Sequence, residues 1–135
     1  MSYRIEEIEG IGPAYGKKLV ECGIKNTDDF LKMCADKKGR TKAAEATGLS
    51  DKLILKWANL ADLMRIKGVG PQYSELLEAA GVDTVKELRT RNAENLALKM
   101  QEINEAKKLT REVPSAKAIT GWIEAAKSMD PTISH

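Results

Sequence analysis

The sequence predicts an all-α protein written as a tandem repeat, and three observations carry that prediction. The stretch Ile8-Glu-Gly-Ile-Gly-Pro-Ala-Tyr-Gly recurs as Ile66-Lys-Gly-Val-Gly-Pro-Gln-Tyr-Ser, with Gly10 matching Gly68 and Gly12 matching Gly70 at a constant offset of 58 residues. An internal repeat sets the architecture before any single residue does. No segment sustains the apolar-polar alternation of a half-buried strand. Ala, Leu, Lys and Glu are abundant while aromatic residues are few (two Trp, three Tyr, one Phe), so the core must rest on Leu, Ile, Val, Ala and Met. At 135 residues the chain bounds one domain or two small units.

Taken in order, Ile8 and Ile11, like Ile66 and Val69, bracket a tight turn between two helical segments. A turn of so few residues needs glycine, which takes a positive φ or lets backbone approach closely. Ile11 and Val69 can then tuck inward. Pro13 and Pro71 suit the first helical position, where the missing N–H costs nothing. Gly16 and Ser74, one turn on, are small enough to let helices pack closely. Gly23-Ile24 and Gly81-Val82 read as helix ends, followed by N-caps at Thr27 and Thr84 and short helices. Asp28 and Asp29 are capping and dipole partners of that first turn.

The middle helices are Arg40 to Thr47, closed by Gly48, and the longer Asn92 to Lys107. Two clusters of cations, Lys37, Lys38, Arg40 and Lys42, and Lys107, Lys108 and Arg111, read as solvated loops. Ser50 and Ser115 cap the last helices, placing Trp57 and Trp122 at matched positions that suit the core. The offset has grown to 65 there, so the second copy holds seven extra residues between Asn92 and Pro114. The first unit is then 1–65 and the second 50–129, sharing the helix 50–66, with 130–135 a frayed tail. A unit of roughly 60 residues is marginal alone, which favours one continuous body.

The pattern apolar, Gly-apolar-Gly, then a small residue four positions on resembles the helix-hairpin-helix motif in both copies. The wider order (turn, short capped helix, middle helix, Trp-bearing helix reading Leu60-Ala-Asp-Leu-Met-Arg-Ile-Lys-Gly-Val-Gly) resembles the prokaryotic family catalogued as domain of unknown function 4332. That family is itself similar to the helix-hairpin-helix N-terminal domain of recombinases. The resemblance covers about residues 4–129. It implies two fused five-helix units of the SAM-like type, each with one hairpin, and no settled activity. It also implies sequence-independent contact with the sugar-phosphate backbone, often with a monovalent cation held by hairpin carbonyls. By position, the residues at that contact are Gly10, Ile11, Gly12 and Ala14 in the first copy, and Gly68, Val69, Gly70 and Gln72 in the second.

The residues themselves permit the same reading, since a helix N-terminus offers free N–H groups and a positive dipole end to a phosphate. Lys17, Lys18 and Lys67 lie close enough to add charge, whereas Glu75 stands where Lys17 stands in the first copy. The expectation is weak, non-enzymatic DNA binding. The alternative is a protein-docking adaptor whose hairpins serve only the fold. A net charge of +2 fits the alternative, because a dedicated nucleic-acid binder shows a clear basic excess. Catalysis is disfavoured: no Ser/His/Asp set is present, Cys22 and Cys34 lack a CxxC spacing, and the single histidine is His135. The glycine turns lack a Walker lysine and follow helices, which excludes both common nucleotide fingerprints. No cofactor, metal or small-molecule substrate is expected. With no apolar run to span or enter a membrane, a cytoplasmic protein is expected.

Overall fold

The computed structural model describes residues 2–134; His135 lies outside them. A 3₁₀ turn, Ile5–Glu7, precedes eight α-helices: α1 (Gly12–Glu21), α2 (Thr27–Cys34), α3 (Lys37–Thr47), α4 (Asp51–Leu63), α5 (Pro71–Ala79), α6 (Val85–Leu88), α7 (Ala93–Lys107) and α8 (Ala116–Lys127). Among the described residues there is no strand, only an isolated bridge between Arg4 and Asn26. The protein is all-α.

Polar side chains start most of these helices. Asn26, Asp36, Ser50, Thr84, Asn92 and Ser115 each accept a hydrogen bond from the backbone N–H three residues on, satisfying an amide the helix leaves open. The cap of α2 is therefore Asn26 and not the expected Thr27. Thr27 is buried instead, where its Oγ1 accepts the Tyr3 N–H at 3.1 Å. Asn26 is the residue aligned with Thr84 at the offset of 58, so the cap sits at one repeat position in two chemistries. Asp36 caps α3, which begins at Lys37, three residues before Arg40, so the first cationic cluster lies on a helix and not in a loop. Both α1 and α5 close alike: Ile24 N–H donates to Leu19 O and Val82 N–H to Leu77 O, each at 2.9 Å, burying the apolar residue past the turn.

The seven extra residues of the second copy are spread over its middle. From cap to cap, Asp36 to Asn92 is two residues short of the repeat offset. Then α7 adds four residues over α3, and the segment 108–115 adds five over 48–50. Asn104 holds that longer segment by bonding both the N–H and the C=O of Thr110.

Two clusters of buried side chains form the core. One gathers Ile5, Ile8, Ile11, Leu19, Phe30 and Ile54 with Trp57; the other gathers Leu63, Ile66, Val69, Leu77, Leu88 and Ile119 with Trp122. Helix α4 serves both, since Leu60 belongs to the first cluster and Leu63 to the second. Every residue from Trp57 to Met64 is buried, as expected of a helix covered on all sides. Two of these are polar. Asp62 pairs with Arg65 at 2.7 Å and accepts the Val85 N–H at 2.8 Å, tying α4 to the start of α6.

The segment after α8 is not the frayed tail expected. Ile133 is buried in the first cluster, Ser134 N–H donates to Ala35 O at 2.9 Å, and Arg65 reaches Asp130 O. The buried Arg40 guanidinium donates to Cys34 O, Ala35 O and, at 2.6 Å, Ser134 O. An apolar anchor and a desolvated cation with three acceptors hold the segment down.

Candidate interaction surface at the paired glycine turns

The two glycine turns are built on one plan. Ile8, Ile11, Ile66 and Val69 are buried. Ile11 N–H donates to Ile8 O and Val69 N–H to Ile66 O. Gly10 and Gly68 take left-handed φ values of 92° and 96°, a conformation costly to any side chain. Behind each lies the tryptophan of the last helix of its half. A Cβ added to Gly10 would stand 3.6 Å from Trp57 Nε1, and one added to Gly68 only 3.0 Å from Trp122 Nε1. Tyr15 packs on Trp57 with ring centroids 5.6 Å apart, and Tyr73 on Trp122 at 5.5 Å. Each turn is thus braced by an aromatic pair drawn from two helices.

The copies diverge past the second glycine. Gly12 is left-handed and opens α1, with Pro13 second, whereas Gly70 has φ −92° and Pro71 opens α5. Since a left-handed Gly12 lacks helical φ, Pro13 is the first residue of α1 that can take helical geometry, as Pro71 is in α5. The small residues do permit close packing: a Cβ on Gly16 would come within 2.8 Å of Glu6 Cγ, and the buried Ser74 folds its hydroxyl onto Pro71 O.

Of the residues expected to meet phosphate, Ile11 and Val69 have buried side chains, and their N–H groups donate to Ile8 O and Ile66 O. Gly10, Ala14, Gly68 and Gln72 are exposed, and Gly12 and Gly70 are partly so. Neither α1 nor α5 has a side-chain cap, unlike the other six α-helices.

The charge around them is acidic. Glu6, Glu7 and Glu9 line the concave side of the first turn with Gly10 and Gly12. The same three glutamates, with Tyr3, form one wall of a groove of about 670 Å³ whose other wall is Gly68, Gly70, Pro71, Gln72 and Tyr73. The second turn lines this groove with its glycines, and the first reaches it through Glu9. Lys17, Lys18 and Lys67 are exposed, but none of them lines it. Burial pushes the Glu75 carboxyl above its ordinary range, and the nearby Glu9 adds to the shift.

A family model matches residues 9–129, from the first glycine turn to beyond the end of α8. The chain belongs to the family described as Domain of unknown function (DUF4332). No curated protein and no solved structure matches it.

In this DUF4332 protein the groove's acidic wall is what residue-by-residue reading missed. The signal was in the repeat: Glu7 and Glu9 align with Arg65 and Lys67 at the offset of 58, a reversal of charge at two consecutive charged positions. The three carboxylates line the groove without converging, since among the described residues no three His, Cys, Asp or Glu side chains could hold a metal ion. A monovalent cation of the kind the resemblance implies would have to rest on turn carbonyls, and Ile8 O and Ile66 O each already accept a backbone N–H. Cys34 lies in the core, where burial pushes its thiol up to about 12, so it carries no nucleophile near neutral pH. Among the described residues no helix is long and apolar enough to cross a membrane.

Proposed function

We propose that this protein is a non-enzymatic docking module in which the groove between the glycine turns receives a basic segment of a partner protein. In this reading the two halves are copies of a five-helix unit, and each turn is a helix-hairpin-helix element used as a rigid frame. The observation that carries it is the pairing of three glutamates with Tyr3 and Tyr73 in one groove. Carboxylates give arginine and lysine their strongest hydrogen bonds, and tyrosine faces attract the same cations by about 0.5–1 kcal/mol at an exposed site. A phosphate in that groove would meet three like charges, and like-charge juxtaposition works against association.

A second reading, sequence-independent nucleic-acid binding, draws on a separate observation. The two helices without side-chain caps are the two that follow the glycine turns, and Lys17 and Lys18 are exposed one turn into α1. Anisotropy of a labelled Lys/Arg-rich peptide and of a labelled random-sequence duplex, each at two salt concentrations, separates the readings. Docking predicts that the peptide binds at low salt and loses tenfold or more in affinity when Glu6, Glu7 and Glu9 are changed together to Gln. The duplex should then stay free. Duplex binding that falls steeply with salt, is lost in Lys17→Glu with Lys18→Glu and tightens in the glutamine triple variant would overturn docking in favour of phosphate contact.

A further inference from the structure

A pocket of about 450 Å³ lies where α4 meets the end of α5. Lys52, Lys56 and Asn59 reach it from positions i, i+4 and i+7 of α4, a single stripe of the helix. Glu78, in the last turn of α5, and Asp83, in the loop after it, stand with them, and the half-buried Leu53 and Leu55 add apolar surface. Leu53 packs on the first core cluster, and Leu77, next to Glu78, belongs to the second. The pocket therefore sits at the junction of the two clusters. Its size falls in the range of small-molecule sites, roughly 300–1,000 Å³, which favour such junctions and combine apolar lining with a few convergent polar groups.

Asn59 is the group that points to a ligand. It is 7% exposed, it lines the pocket, and its Oδ1 has no hydrogen-bond partner. A buried amide oxygen left unpaired costs free energy, and native structures leave few such groups. A half-turn of the amide exchanges its oxygen and nitrogen without changing its shape, so Asn59 can turn either an acceptor or a donor to the pocket. The repeat does not require an amide at this position. At the offset of 65 Asn59 corresponds to Glu124, which is exposed and pairs with Lys127.

The charges select the class of ligand. Two cations and two carboxylates line the pocket, and among the described residues none of the four forms an ion pair. A simple anion would meet Glu78 and Asp83, and a simple cation would meet Lys52 and Lys56, each against its own sign. A zwitterion answers both signs at once.

We propose that this pocket binds a free α-amino acid with an apolar side chain. The ammonium of such a ligand has three N–H donors, and Glu78, Asp83 and Asn59 Oδ1 are three acceptors. Its carboxylate accepts from Lys52 and Lys56, and its side chain lies on Leu53 and Leu55. Hydrogen bonds between charged groups are the stronger kind, and Asn59 gains the partner that the fold does not supply. The pocket shares no residue with the groove between the turns, so either reading can fail without the other.

The test is titration of the isotope-labelled full-length chain with each standard amino acid at millimolar concentration, followed by amide chemical shifts. Leucine or another apolar member should shift Asn59, Glu78 and Asp83 in a saturable way, and aspartate and lysine should not. Two analogues of leucine each drop one charge: isoamylamine lacks the carboxylate and isocaproate lacks the ammonium. Both should bind at least tenfold more weakly, a comparison made on the native chain. Glu78→Gln with Asp83→Asn should likewise weaken leucine at least tenfold, while the Glu6, Glu7, Glu9 glutamine variant leaves it unchanged. Absence of a saturable shift with any amino acid, shifts centred away from these residues, or isoamylamine binding as well as leucine would overturn the proposal.

Discussion

At the scale of single residues, the two glycine turns are near-copies that differ in how tightly a tryptophan stands behind them. Alanine at Gly10 or Gly68 must adopt a left-handed conformation, which costs about 1–2 kcal/mol for an L-residue. At Gly68 the new methyl also meets Trp122 Nε1 at 3.0 Å, against 3.6 Å to Trp57 at Gly10. Gly68→Ala should therefore destabilise more than Gly10→Ala in urea unfolding. Equal losses would mean that Trp122 moves aside freely. The glycines and prolines of these turns were legible from the sequence because a short turn restricts its residues sterically, and Trp57 and Trp122 were legible as core from their matched helical positions. The acidic groove was not, because its walls come from residues about 60 apart in the chain. Only folding brings Glu6 and Glu9 opposite Gln72 and Tyr73.

At the scale of elements, α4 decides most. It is buried on every side over its second half, contributes to both clusters and braces the first turn through Trp57. Trp57→Ala should cost about 3–5 kcal/mol, the range for deleting a large buried aromatic side chain. That is a large share of the roughly 5–15 kcal/mol that holds a domain together. Thermal melts followed by circular dichroism would show it, and an unchanged midpoint would contradict the core placement. Helix starts were legible wherever a short polar residue preceded an apolar stripe. The exceptions are instructive. Asn26 outcompetes Thr27 as a cap because Thr27 is drawn into the core to bond Tyr3, and Asp36 starts α3 earlier than the charge-rich run after it suggested. In both cases a tertiary contact or a single cap overrode the local pattern.

At the scale of the whole molecule, the segment after α8 binds the two halves together. It leaves the second half, passes Arg65 and ends in the first cluster beside Arg40. A chain ending at residue 129 would lose the burial of Ile133, about 1.5–3 kcal/mol, and leave Arg40 short of one carbonyl. Its unfolding midpoint should fall accordingly, and Arg40→Met in the truncated chain should recover only part of the loss, because the burial of Ile133 stays absent. A truncation without effect would show that the segment adds nothing to stability. These contacts are not legible in the sequence, because Asp130-Pro-Thr-Ile-Ser carries no helical pattern and a single isoleucine has no periodicity. The contact also imposes an order on biosynthesis. Arg40 and Ser134 are 94 residues apart, so at about 5–20 residues per second the ribosome takes roughly 5–20 s to deliver the partner after the arginine. Until then the amino-terminal half carries a cation without its last acceptor and a gap where Ile133 belongs. Nascent chains of this protein therefore reach their final packing only once synthesis has passed α8, and a stall before that point exposes an unfinished core.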